Sequence, residues 1–250
     1  TREGEGLCEL SDLGVREILL AAEPWPESLR RYLEGAWSAE VYDCYGLTEI
    51  GLVAGGECYF KSGLHVNELS LIVEVVDPKT GEVLEEEEEG ELVFTTLDRA
   101  CMPFVRYRSR DLSLVLSGTC ECGIPFKRIA RIRGRIDDMV TLGTGENVFT
   151  ALFDNALLEI PELIDYRVVV ERNGYRDKLI IEAEVRTGSG EVERKILEAV
   201  LGIPSIKHDV FHTKTIAMPE IVLLRPGELK SSGVKAKKIF DKRNLYPSSR

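Results

Sequence analysis

Apolar residues recur along this chain at two periods, and the switches between them outline its elements. Leu29, Tyr32, Leu33, Ala36 and Trp37 fall at helical spacing and predict an amphipathic helix over residues 26–37. Residues 39–43 read as a short strand, and the Leu69-Ser-Leu-Ile-Val-Glu-Val-Val76 run as a strong one. The turn-forming Asp77-Pro78-Lys79-Thr80-Gly81 and a second strand over 91–96 complete a hairpin-like unit. Further β signal lies at 104–108, 112–116 and 126–131.

The texture changes near Gly134. A helix is expected over 152–159, strands over 166–171 and 179–185, a helix over 191–200, and strands near 206–211 and 221–224. This βαβ-rich stretch is long enough for a small α+β domain. The expected organisation is therefore 1–134 and 135–250, with the boundary at 135–138. The fold class expected is α/β plus α+β.

Bulk properties narrow the class. A chain of 250 residues, 44% hydrophobic and 30% charged, is an ordinary globular composition. A net charge of −11 argues against nucleic acid as a partner. The acidic run from Glu85 to Glu89 reads as a solvated loop between strands. No apolar stretch is long enough to span a bilayer, and no secretory signal opens the chain. It begins at Thr1 without a methionine, as expected of a processed chain or an excised fragment. Six cysteines are too few for a disulfide scaffold, and a cytoplasmic location would keep them reduced.

The chemistry concentrates in Tyr42-Asp43-Cys44-Tyr45-Gly46-Leu47-Thr48-Glu49, read as the end of a strand. A ring offers a face to a base, and a Thr–Glu pair suits a phosphate and its Mg²⁺. Other motifs follow in order: Ala22-Glu23-Pro24-Trp25 before it, then Gly63-Leu64-His65, Gly90-Glu91-Leu92-Val93, Met102 to Asp111, Gly134-Arg135-Ile136-Asp137-Asp138, Asn147-Val148-Phe149 and Lys235-Ala236-Lys237-Lys238. This series resembles the adenylate-forming superfamily, and closely its phenylacetate–CoA ligase family, from about Leu13 to Arg243. The resemblance implies the β-rich C-terminal part of the large AMP-binding domain, followed by a small mobile lid domain.

It also implies a two-step reaction using ATP and coenzyme A. A carboxylate attacks the α-phosphate to give an acyl-adenylate and pyrophosphate, and a thiol then displaces AMP. By the same resemblance Ala22, Glu23 and Pro24 lie beside the adenine with Tyr45 against the base, and Asp43 and Gly46 belong to the same nucleotide site. Thr48 would touch the α-phosphate, Glu49 would reach Mg²⁺, and Asp111 and Arg135 would meet the ribose. Asp137 takes the hinge position, and Lys235 best matches the catalytic lysine. Taken singly, Asp111 could cap a turn, Arg135 could pair with an acidic neighbour, and Lys235 to Lys238 could form one solvated helix face.

Several features depart from the family pattern. The Ser/Thr/Gly-rich loop that wraps the β- and γ-phosphates belongs upstream of the opening motif and has no counterpart in this sequence. The glycines in 141–146 and 187–190 read as plain turns. After the hinge, Leu142-Gly-Thr-Gly-Glu-Asn147-Val-Phe-Thr150 replaces Arg-Gly-x-Asn-x-Phe-Pro, and Val234 separates Gly233 from Lys235. The expectation is an enzyme portion that is incomplete alone, needing an N-terminal half or separate subunit, with a homodimer left open. Two alternatives remain: an adenylyltransferase similar to coenzyme F390 synthetase, and a non-catalytic nucleotide-binding or partner subunit.

Cys58, His65, Cys120 and Cys122 offer three sulfurs and an imidazole, a set that suits Zn²⁺. Some family relatives carry the same elements in what looks like a structural zinc site. The alternative is reduced cysteines and a hydrogen-bonded histidine. Cys8, Cys44 and Cys101 read as small apolar residues, and His208 and His212 as surface residues on one face of a strand.

Overall fold

Strand β1 (Glu17–Leu20) runs parallel to β2 (Glu40–Leu47), and helix α1 (Glu27–Trp37) makes the crossover between them. The computed structural model describes residues 9–143, 145–229 and 237–243. The chain divides into two compact units, Thr1–Asp137 and Asp138–Arg250. The first continues through β3 (Gly51–Glu57), β4 (Leu64–Val66), β5 (Leu71–Val76), β6 (Gly90–Thr96), β7 (Tyr107–Ser113), β8 (Val115–Leu116), β9 (Arg128–Ile129) and β10 (Gly134–Arg135).

These strands form two sheets, in the orders β1-β2-β3-β4-β9-β8 and β10-β7-β6-β5. One core joins them: Tyr45, Ala54, Leu64 and Ile129 from the first sheet with Val73, Leu92 and Phe94 from the second. Within β5, Leu71, Val73 and Val75 are buried in alternation with Ile72 and Glu74, and Val76 is buried beside Val75 at the strand's end. Helix α1 differs from its amphipathic reading. Its one buried residue is Arg30, which donates to the Val41 carbonyl at 2.5 Å and to both Glu57 oxygens at 2.9 Å, while Leu29 and Tyr32 are 36% and 53% exposed.

The second unit opens with the hairpin β11 (Val140–Leu142) and β12 (Glu146–Val148), then α2 (Thr150–Leu157). It continues with β13 (Leu163–Asn173), β14 (Arg176–Val185), α3 (Gly190–Leu201), α4 (Pro204–Phe211), β15 (Glu220–Leu224) and β16 (Ile239–Asp241). The sheet β15-β14-β13-β16 packs against the helices around Phe153, Tyr166, Ile181, Ile196 and Ile206. Gly143 turns the β11–β12 hairpin at φ 51°, where a Cβ would stand 1.9 Å from Asp209 Oδ2. Its N–H donates to Asp177 Oδ2, which Arg243 Nη1 also reaches, at 3.1 and 2.6 Å.

Several sequence expectations need correction. Residues 206–211 form helix α4, not a strand. Ile206 and Val210 satisfy both periods over so short a run, and Pro204 in the first turn decides for the helix. His208 and His212 therefore stack one turn apart, with centroids 5.1 Å apart. The strand expected from 104 begins only at Tyr107: Thr96 and Thr95 hydroxyls take the N–H groups of Phe104 and Arg106, and Arg106 stands at φ 49°. The 126–131 signal shrinks to β9, and 112–116 divides between β7 and β8. Cys101 is exposed in the bends after β6 instead of packed; Cys8 lies outside the described residues.

Candidate nucleotide site and metal centre

Most of the Tyr42–Glu49 motif lies in β2, which runs to Leu47. Tyr45 pairs with Gly55, Gly46 sits at the irregularity before Leu47 pairs with Gly51, and Thr48 and Glu49 form the turn into β3. The glycine serves close packing: a Cβ on Gly46 would meet the Leu52 carbonyl oxygen at 2.1 Å. Tyr45 is 9% exposed, its ring tilted against Phe94 with centroids 6.0 Å apart.

Tyr45, Asp111 and Arg135 come together. The Tyr45 hydroxyl donates to Asp111 Oδ2 at 2.7 Å, and Arg135 Nε lies 3.5 Å from Asp111 Oδ1. Arg135 is held opposite Asp111 by the β10–β7 register. Asp111 is aimed by a bulge. While β6 advances from Glu91 to Val93, β7 advances from Arg108 to Leu112, and Arg110 within that stretch adopts φ 67°. Bulges beside functional sites commonly redirect a side chain in this way. The Arg110 N–H donates to the fully buried Glu91, and its guanidinium reaches Asp137 Oδ1 at 2.7 Å.

Tyr107, absent from the sequence-based set, is influenced by Glu49: burial and then that carboxylate push its phenol upward. No local pattern marked it, because the β7 bulge between Arg108 and Leu112 breaks the two-residue period that would relate it to Asp111. Burial and the Asp111 charge likewise raise the Tyr45 phenol, so it keeps its proton.

Ala22, Glu23 and Pro24 lie exposed in the loop after β1, with Ala22 at φ 80°. Asp43 is engaged by the protein: it accepts from Trp25 Nε1 at 3.2 Å and Arg131 Nε at 3.0 Å, and burial outweighs Arg131 to raise its carboxyl. Arg131 also stacks 3.7 Å from the centre of the Trp25 ring, fixing the end of the 22–24 loop. Lys235 lies outside the described residues. Lys238 is no solvated helix face: it bonds Asp154 Oδ1 at 2.9 Å and lies over the Tyr166 ring.

The four metal candidates converge. One donor atom from each of Cys58, His65, Cys120 and Cys122 lies within 4.8 Å of every other. Cys58 and Cys120 sulfurs are 3.6 Å apart, and Cys122 Sγ is 3.3 Å from His65 Nε2. Tetrahedral Zn²⁺ with bonds of about 2.3 Å to sulfur and about 2.0 Å to nitrogen needs edges of roughly 3.5–3.8 Å. Donor set and spacing therefore fit the ion. Burial and the neighbouring Arg128 lower the His65 pKa, keeping the imidazole neutral and able to ligate. Arg128 ties the two ligand loops together, donating to Ser62 O at 2.6 Å and Ser117 O at 3.1 Å.

Comparison with known proteins defines the class first. The family model for the AMP-binding enzyme C-terminal domain matches residues 145–243. A 2-hydroxyisobutyryl-CoA ligase crystallised with 2-HIB-AMP superposes with a TM-score of 0.78 at 23% identity, covering 96% of this chain and 51% of that one. A benzoate CoA ligase from Burkholderia xenovorans LB400 gives 0.61 at 17% identity, covering 94% and 46%. The fold is that of adenylate-forming CoA ligases. A phenylacetate-coenzyme A ligase of Pseudomonas putida is 37% identical over 235 residues, 93% of this chain and 52% of that protein. Its counterpart in Thermus thermophilus is 33% identical over 245 residues, 93% and 55%. The chain belongs to the phenylacetate–CoA ligase family and corresponds to its C-terminal portion. It spans about half the length of the relatives it matches. Among the described residues no helix is long and apolar enough to cross a membrane.

Proposed function

We propose that these residues form the nucleotide-facing C-terminal portion of an ATP-dependent, AMP-forming aryl- or phenylacetate–CoA ligase-like enzyme. A carboxylate oxygen attacks the α-phosphorus of ATP and pyrophosphate leaves; the CoA thiol then attacks the acyl carbon and AMP leaves with the bonding electrons. Such chemistry rests on positioning and on neutralising phosphate charge. In this reading the 22–24 loop and Tyr45 border the adenine, Asp111 and Arg135 meet the ribose, and Thr48 touches the α-phosphate. Mg²⁺ held by Glu49 would offset phosphate charge. Lys235 would add a cation, and Asp137 is the hinge before the small unit. Cys58, His65, Cys120 and Cys122 would hold a structural Zn²⁺.

The observation that carries the reading is the meeting of Tyr45, Asp111 and Arg135 at one place, from β2, β7 and β10. Residues so far apart in sequence gather in one cluster, which is what a shared role at the ribose would require. The chain spans about half the length of the relatives it matches, so the reading is of part of an active site. Isothermal titration with AMP tests it. Binding by this chain, weakened about tenfold or more by Asp111→Ala, is expected from loss of a charged hydrogen-bond acceptor. Absence of AMP binding would overturn it.

A further inference from the structure

We infer that Tyr45 acts on nucleotide recognition through its hydroxyl, as the positioning residue that holds the Asp111 carboxylate for the ribose. The inference deepens the proposed nucleotide site and rests on that reading of Asp111.

The geometry separates a hydroxyl role from a stacking role. A tyrosine used only as a platform would leave its hydroxyl uncommitted. Tyr45 is 9% exposed, with its ring packed on Phe94 in the core between the sheets. Its one polar side-chain atom spends its proton on Asp111 at 2.7 Å, within a buried pair bridging β2 of one sheet and β7 of the other. Phenylalanine would pack equally well there, so packing does not account for the hydroxyl.

Asp111 also has reason to need a fixed neighbour. It follows directly on Arg110, whose left-handed backbone in the β7 bulge breaks the regular ladder. A residue on such a bulge is aimed by its surroundings more than by the strand. Tyr45 fixes Oδ2, and Arg135 approaches Oδ1 from the neighbouring strand β10. A carboxylate accepts at about four lone-pair sites, so a bond from Tyr45 orients the group without exhausting it. Burial keeps the Tyr45 phenol protonated and donating, so the arrangement does not depend on pH near neutrality. Tyr107 and Glu49 form a second tyrosine–carboxylate pair nearby.

The test compares AMP with 2′-deoxy-AMP on the full chain by titration calorimetry, for wild type, Tyr45→Phe, Asp111→Asn and the double variant. Tyr45→Phe keeps the ring and its packing. The expected result is a wild-type preference for AMP that falls about tenfold in Tyr45→Phe, the worth of one hydrogen bond to a charged group. The double variant should be no worse than Asp111→Asn alone, because both changes act on one group. If Asp111→Asn abolishes the preference while Tyr45→Phe retains it, Tyr45 serves only as a ring, and the inference falls while the ribose reading stands. If neither variant alters the preference, or wild type shows none, the ribose reading itself fails and takes the inference with it. Thermal melts of the four proteins accompany the titrations. A Tyr45→Phe protein that melts with wild type yet loses ribose discrimination excludes a purely structural role.

Discussion

Glu91 Oε1 accepts the backbone N–H of Arg110 at 3.0 Å, deep beneath the bulge that aims Asp111. The same carboxylate receives Arg108 Nε at 2.8 Å. It is fully buried, yet it is matched on both oxygens, which is the condition under which a buried charge is tolerated. The bulge removes a ladder partner from Arg110, and Glu91 supplies the replacement.

Replacing Glu91 should therefore act at two levels. Glu91→Leu leaves the Arg110 N–H without its acceptor and should lower stability by about 2–3 kcal/mol in denaturant melts. Glu91→Gln keeps an acceptor oxygen and should lose roughly half as much. Where the variants fold, AMP affinity should fall in the same order. Equal stability of Glu91→Leu and wild type would contradict this role for the buried carboxylate.

The metal centre predicts a composition as well as a stability. Protein purified without added metal should contain about one zinc per chain, and Cys120→Ser should lose it. The melting temperature should drop by about 5 °C or more, because a bound ion would join the 58–65 loop to the 120–122 loop. Metal analysis showing no zinc in protein whose thiols remain reduced would defeat the assignment.

What the sequence disclosed, and what it hid, follows from the range of the interactions. The β5–β6 hairpin was legible because Leu71, Val73 and Val75 alternate and a strong turn follows Val76. The convergence of Cys58, His65, Cys120 and Cys122 was legible by chemistry, since three sulfurs and an imidazole together suit one soft metal ion. The bulge at Arg110 was not: a left-handed arginine has no local signature, and its acceptor Glu91 lies on another strand. Tyr107 escaped for the same reason, its partner Glu49 being distant in sequence. Helix α4 was misread because Ile206, His208 and Val210 alternate as in a strand while Ile206 and Val210 also fit one helical turn. The Asp43 carboxylate accepts from Trp25 and Arg131, partners too far away in sequence for any local pattern to disclose.

Acidification should weaken the second unit through Asp241. Hydrogen bonding from Arg243 holds this carboxyl below its ordinary value of 3.8, against the upward pull of burial. A depressed folded-state pKa adds stability above the ordinary value and loses it as pH falls through the folded value. Asp241→Asn should cost about 1 kcal/mol at pH 7, given the partial exposure of the pair, and the cost should shrink as pH falls below the ordinary carboxyl value and through the depressed folded-state one. Melts of both proteins from pH 7 to about pH 2.5 check this. A difference that persists undiminished at the acid end would show that the ionised carboxylate is not what matters.

The central claim is that this chain carries part of an adenylation site, with the Tyr45–Asp111–Arg135 cluster serving the nucleotide. ATP–pyrophosphate exchange with phenylacetate tests it most directly. The chain should show no exchange alone. It should gain exchange when supplied with a polypeptide covering the N-terminal half of a phenylacetate–CoA ligase, and Asp111→Ala should lower that rate by about a hundredfold, of the order expected for lost substrate positioning. Exchange by the 250-residue chain alone, or a reconstituted activity indifferent to Asp111, would contradict the account.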